Sequence, residues 1–215
     1  MKKLLPRFFP ILAGLIAGIV ISSVLFWATG LSFFGMSREK TLSADDVNNA
    51  KLTALAYEVL DHIKGGDYRE LSRTVHPARG VVFSPCATVT LLANKCFRAD
   101  QIAEFGTDSN VYVWGVYSAS GEPIEMTPSD YFSKLIFDQD YTAAPVIGVN
   151  HVIRSGNALE NITEVLPDVM FVDFYFPGGE KYAVEDPDWR SLRLGFEEYE
   201  GILYLAVILH SEWTG

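Results

Sequence analysis

Two cysteines in 215 residues, Cys86 and Cys96, are too few for a disulfide-dense miniprotein or a Cys-rich zinc module. Basic residues are scarce as well. Seventeen Lys and Arg stand against 27 Asp and Glu, a net charge of −10, which leaves no basic footprint for nucleic acid. No Gly-rich loop leads into a helix to cradle a phosphate, since Gly178-Gly179 after Pro177 reads as a turn. The four histidines form no close pair, and Asp138-Gln139-Asp140 and Glu185 to Asp188 lack the twelve-residue ligand spacing of an EF-hand. Those acidic stretches read as solvated loops, and no metal or other cofactor is expected. Asn161-Ile162-Thr163 fits a glycosylation sequon, which has no meaning in a bacterial host. With 49% hydrophobic and 13% aromatic residues the chain is not a disordered tail, and it can bury a core.

One stretch lacks ionisable side chains altogether. Lys2, Lys3 and Arg7 are followed by Phe8 to Ser37 without a single one, and about 20 such residues cross a hydrocarbon core of about 30 Å. A membrane-spanning helix near Ile11 to Thr29 is the direct reading. A cleaved signal peptide competes with it, because Ala28-Thr29-Gly30 is a passable small-x-small site. The apolar run is longer than a signal peptide needs and continues through Leu31, Phe33 and Phe34, which favours a retained anchor. The positive residues before the span place the N-terminus inside, so the rest of the chain faces the periplasm or the cell exterior. Without residues 1–35 the remainder keeps 27 acidic residues against 14 basic, a surface that repels anionic headgroups and nucleic acid. The expected organisation is a cytoplasmic stub and anchor over 1–35, a tether over 36–46 and one domain over 47–215.

The outer part begins with helices. Ser43 with Asp46 makes a capping box, and Val47, Leu52, Leu55, Ala56, Val59, Leu60 and Ile63 form one apolar stripe that ends at Gly65-Gly66. Asp67 opens a shorter helix that His76-Pro77 stops. Beyond Pro77 the period changes to two. Val81 to Ser84 is a strand, Cys86 to Phe97 a candidate hairpin turning near Ala93-Asn94, Asp100 to Phe105 a brief helix and Val111 to Ser118 a strand. Thr127-Pro128-Ser129-Asp130 starts a third helix with Tyr131, Phe132, Leu135 and Ile136 on one face. Four strand candidates follow: Val146 to Ile153, Val169 to Phe176, Arg190 to Tyr199 and Ile202 to Trp213. Helices first and strands afterwards indicate an α+β domain with an antiparallel sheet.

A two-residue loop at Glu200-Gly201 makes opposed residue numbers of the last hairpin sum to 401. Leu192, Leu194 and Phe196 then face Leu209, Val207 and Leu205 on the core side. Ser191 lies opposite His210, Arg193 opposite Ile208 and Glu197 opposite Tyr204 on a mixed face. A one-residue bulge would shift this register and exchange the faces, because a glutamate is unfavourable at a position wanting positive φ. In the unshifted register Arg190, Ser191, Arg193 and His210 form one polar patch. Arg193 is then expected to matter more to binding than to folding, with a structural ion pair to Asp173 as the competing reading.

Four segments resemble a family of uncharacterised bacterial exported proteins and lipoproteins: His76 to Pro85, Ser120 to Phe132, Asp188 to Glu197 and His210 to Thr214. The resemblance covers roughly Ala54 to Gly215. The order of helix, Gly break, short helix and curved sheet is similar to the nuclear transport factor 2-like (NTF2-like, cystatin-like cone) superfamily. Lipoprotein members carry an acylated cysteine after the signal, and this chain has none there. The resemblance brings a fold and a location but no activity. It implies a cone pocket in which Asp173, His76 or His210 could act as acid or base, with Tyr131 and Trp114 as walls. A Ser191, His210 and Asp173 nucleophile set lacks a helix N-terminus for an oxyanion hole. The favoured expectation is a membrane-anchored binding module of the cell envelope rather than an enzyme. It would take a small molecule or an envelope protein at Arg190, Ser191, Arg193, His210, Tyr204, Trp114 and Tyr131. A small-molecule lyase, isomerase or hydrolase is the alternative. In an oxidising compartment, Cys86 and Cys96 are expected to form a disulfide.

Overall fold

Ser43 starts the first helix, α1 (Ala44–Gly65), through a reciprocal cap in which its hydroxyl and the Asp46 carboxylate each accept a backbone N–H at 3.0 Å. The helix buries Leu52, Ala56, Val59, Leu60 and Ile63 and stops where Gly66 turns left-handed at φ 65°. Asp67 caps α2 (Tyr68–Thr74), as its spacing to Glu70 predicts. The computed structural model that shows this describes residues 43–117, 120–156, 158–179 and 188–213. The expected span Ile11 to Thr29, most of the tether and Glu185 to Pro187 lie outside the described residues. Among the described residues no helix is long and apolar enough to cross a membrane.

The chain is α+β. Its main sheet contains β1 (Val81–Ser84), β2 (Lys95–Phe97), β5 (Val146–Val149), β6 (Met170–Phe176), β7 (Arg190–Tyr199) and β8 (Ile202–Glu212), in the order β2-β1-β8-β7-β6-β5. The expectation of an antiparallel sheet fails at one pairing, because β1 runs parallel to β8. No hairpin ties these two strands: most of the domain lies between them, so their direction is free of turn geometry. The hairpin expected within Cys86 to Phe97 is also absent. Its second half, β2, pairs instead with β1, bringing Cys96 opposite Val82.

Between these strands lie α3 (Ala99–Ala103) and a separate hairpin of β3 (Tyr112–Val116) and β4 (Pro123–Met126). The third helix starts at Thr127 as expected, with α4 (Pro128–Tyr131), but continues as a π-helical turn over Phe132–Ile136. The short α5 (Ile162–Val165) follows β5.

Both faces of the sheet are covered. On the inner face Leu192, Leu194, Phe196, Leu205 and Ile208 pack with α1 and with an aromatic cluster around Phe83, Phe97, Phe105, Trp114 and Phe132. On the outer face Phe171, Val169, Val207 and Leu209 pack with Ile162 and Leu166 of the α5 segment. Each of these buried aliphatic side chains contributes about 1.5–3 kcal/mol of transfer free energy. The face expected to be mixed is therefore a second core.

Candidate functional site

The last hairpin decides which polar groups can meet. Its turn has positive φ at both Glu200 (52°) and Gly201 (81°), and the pairs Tyr199 with Ile202 through Phe196 with Leu205 keep the predicted register. Between Phe196 and Gly195 the register slips by one, which leaves Ala206 unopposed, and Gly195 pairs with Val207. A Cβ at Gly195 would come within 2.4 Å of Val207 Cγ1, so the crowded outer face accepts only glycine there. Beyond the slip His210 stands opposite Leu192, and Ser191 stands opposite Ser211. The expected patch of Arg190, Ser191, Arg193 and His210 is thereby divided. Arg190 and His210 lie on the inner face, Ser191 and Arg193 on the outer.

The outer group is closed. Asp173, Ser191 and Arg193 are each 0% exposed. Arg193 lies opposite Asp173 in the ladder and bonds it at 3.4 Å and Glu160 at 2.6 Å, with its guanidinium 5.3 Å from the Phe171 ring centre. The same Asp173 carboxylate accepts from the Ser191 hydroxyl and from the Ile153 N–H. Every oxygen of Asp173 thus has a donor, and Asp173, Ser191 and Arg193 are all closed off from solvent. The structural ion pair is the arrangement found.

The inner group sits where the chain leaves the π turn. Phe137 N–H reaches back to Phe132 O, and the next residue, Asp138, is delivered onto β8. Asp138 was expected in a solvated loop; instead it is half-buried among three partners. Tyr141 OH donates to its Oδ1 at 2.8 Å, His210 Nε2 lies 3.3 Å from that oxygen, and Arg190 Nε lies 3.1 Å from Oδ2. Arg190 Nε also lies 3.2 Å from Glu212. The His210 contact is within ion-pair range but off the line of a hydrogen bond, and neither ring nitrogen has a hydrogen-bond partner although the residue is 1% exposed. Burial pushes the Asp138 carboxyl up, and His210, Tyr141 and Arg190 more than reverse this, so it titrates below the usual range. Burial, reinforced by the Asp138 charge, pushes the Tyr141 phenol well above its ordinary value.

The other expected residues are dispersed. His76 is a turn device: its Nδ1 accepts the Ala78 and Arg79 N–H groups at 3.2 Å, and its ring packs on Tyr199 and Tyr204. Tyr204 lies opposite Glu197, at the far end of the hairpin from Arg190. Trp114 and Tyr131 stack face to face at 3.9 Å inside the core, and Trp114 donates its indole N–H to Met126 O. They are core rather than pocket walls, and burial raises the Tyr131 phenol. The expected disulfide is not formed. Cys96 lies opposite Val82 with its thiol on Arg79 O, whereas Cys86 lies beyond the far end of β1 with its thiol on Thr88 O. Asn161, read only as a sequon, clamps Val89 through both its N–H and its carbonyl. Asp138 was weighed only as part of an acidic loop, and Tyr141, Glu160 and Glu212 escaped the sequence reading; the one signal for Glu212 was its two-residue spacing from His210. An open cavity of about 530 Å³, lined by Asp100, Glu104, Asp108, Asn110 and Tyr112 among others, lies away from both groups.

No protein-family model and no curated protein matches the chain. Among solved structures it is similar to Aln2 from a Streptomyces species, with 10% identity over 80% of this chain and 93% of that one and a TM-score of 0.34. It is similar also to a DUF4783 family protein from Bacteroides ovatus, with 10% identity over 73% of this chain and 94% of that one and a TM-score of 0.26.

Proposed function

We propose that the chain is a membrane-anchored, extracytoplasmic binding module of NTF2-like cone type, which takes its ligand at the inner-face group of Asp138, Arg190, His210 and Glu212. One observation carries the choice of site. The side chains of Asp138, Arg190 and Glu212 are 19%, 26% and 33% exposed, while Asp173 and Arg193 on the other face are fully covered. A solute can reach the inner group, whereas Asp173, Ser191 and Arg193 of the outer one are covered. It offers a forked cation, two carboxylates and an imidazole with unused hydrogen-bonding capacity, a set suited to holding a polar ligand. Catalysis is the lesser reading, since the proposed acids and bases Asp173, His76 and His210 fall into three separate surroundings.

The anchor rests on the uncharged run from Phe8 to Ser37. Reporter fusions after Gly35 are expected to be active only outside the cytoplasm, and a mature chain starting at Leu31 would overturn the anchor. The site is tested by native mass spectrometry of the gently extracted full chain. A co-purified adduct that is lost in Glu212→Ala and kept in Tyr204→Ala supports it, and an adduct kept in both variants places binding elsewhere.

A further inference from the structure

Asp138, His210 and Glu212 each present one ligand atom, and the three atoms lie within 4.8 Å of one another. The set is one imidazole nitrogen and two carboxylate oxygens, three protein ligands of the kind that open zinc sites use. One edge already has the right length. With metal–ligand bonds of about 2.0–2.1 Å, the ligands of a tetrahedral ion stand about 3.4 Å apart, and His210 Nε2 is 3.3 Å from Asp138 Oδ1. The imidazole supplies a second, independent sign. It is 1% exposed, faces this cluster, and has no hydrogen bond at either nitrogen, a state that burial ordinarily penalises.

We propose that this inner-face group is a binding site for a transition-metal dication of the Zn²⁺ class, held by Asp138, His210 and Glu212. The inference rests on the reading of this group as the ligand site and names the ligand. The nitrogen donor and the small ligand count favour zinc over calcium or magnesium, which take six or more oxygen ligands. Two neighbours shape the site. Tyr141, donating to Asp138 Oδ1, orients the carboxylate from behind. Arg190, bonded to the other Asp138 oxygen and to Glu212, supplies the positive charge that two half-buried carboxylates require when no metal is present. The guanidinium and the metal therefore compete, and binding requires Arg190 to withdraw from Glu212. The partial exposure of Asp138 and Glu212 provides the route in.

The test is titration of the full chain with Zn²⁺ alone by calorimetry, with Co²⁺ as a visible-absorption reporter of coordination and Ca²⁺ as the contrasting ion. One saturable Zn²⁺ site is expected, with no response to Ca²⁺. Glu212→Gln and His210→Ala are expected to abolish it, and Tyr141→Phe to weaken it by about tenfold or more. Arg190→Met is expected to tighten it by roughly tenfold, because a positive charge about 5 Å from a dication costs that much even at the dielectric of water. Glu212→Gln and Arg190→Met change half-exposed residues and keep the test open if His210→Ala does not fold. The proposal is overturned if the wild-type chain shows no saturable site, if Glu212→Gln leaves the affinity unchanged, or if Arg190→Met weakens binding. A failed Zn²⁺ titration alongside a Glu212-dependent native adduct would refute the metal alone and leave the binding site standing.

Discussion

Replacing Arg193 by alanine separates a structural from a binding role at the outer face. The guanidinium is fully covered, bridges Glu160 at 2.6 Å and Asp173 at 3.4 Å, and lies over Phe171. Alanine removes the only cation among these contacts and leaves the Asp173 charge buried at 0% exposure with two neutral donors, the Ser191 hydroxyl and the Ile153 N–H. Breaking such a pair from one side costs about 3–5 kcal/mol. For a domain of this size roughly 2–4 °C of Tm accompanies each kcal/mol, so the melting temperature should fall by about 6–20 °C. Circular dichroism melts of the full chain and a urea midpoint provide two readings of the same loss. Asp173→Ala should cost less in the Arg193→Ala background than alone, because one variant then relieves the charge the other strands. A Tm loss of under about 3 °C together with loss of a bound ligand would refute the reasoning and restore the binding role expected for Arg193 from the unshifted register.

The remaining predictions are briefer. Gly195→Ala should destabilise the domain by about 1–3 kcal/mol, since its Cβ meets Val207 Cγ1 at 2.4 Å and Val169 Cγ1 at 2.9 Å; an unchanged urea midpoint would contradict the crowding. Glu200→Asn should stabilise by about 0.5–1 kcal/mol, because asparagine accepts the positive φ of the two-residue turn more readily, and a lower Tm would refute this. Cys86 and Cys96 should both be alkylated in the unfolded chain without prior reduction, as checked by mass. Asp138 is a carboxyl with a lowered folded pKa, so its contribution to stability is present above the ordinary value of about 3.9 and is lost as pH falls through the lower folded value. Asp138→Asn should therefore flatten the acid limb of stability against pH below about pH 4; an unchanged acid limb would show that Asp138 carries no such linkage.

Features with a local cause were legible in the sequence. The caps at Ser43, Asp67 and Thr127 and the stop at Gly66 rest on hydrogen bonds within three or four residues, and the structure places all of them as predicted. The bounds of β7 match because Leu192, Leu194 and Phe196 alternate along it toward the inner core, although the strand is buried on both faces. The parallel pairing of β1 with β8 was not legible, since it joins segments at the two ends of the domain and leaves no mark in either segment alone. The π turn after Tyr131 was hidden for a related reason. Phe132, Leu135 and Ile136 keep a helical spacing, and the hydrogen bond of Phe137 to Phe132 that widens the turn involves only backbone atoms.

The site followed from a single unpaired residue. Read at a constant sum, the last hairpin puts His210, Ser191 and Arg193 together, and a nucleophile set or a polar patch follows. Ala206 without a partner rotates every residue after it to the opposite face, so that His210 leaves Ser191 for Asp138 and Arg193 is left to Asp173 and Glu160. The sequence carries the cause of the slip, because Gly195 and Ala206 are the smallest side chains of their strands and sit where it occurs. What it does not carry is the choice of bulge position, which depends on Val207 of β8 and Val169, just before β6, filling the space over Gly195. One slip thus converts one expected patch into two groups of different kind. Both groups set two carboxylates against one guanidinium, but Asp173, Ser191 and Arg193 of the outer one are fully covered, whereas the inner one reaches solvent through Asp138, Arg190 and Glu212 and holds an imidazole with no hydrogen bond. That buried imidazole without a hydrogen bond, in the group that reaches solvent, is the physical reason to seek a ligand there.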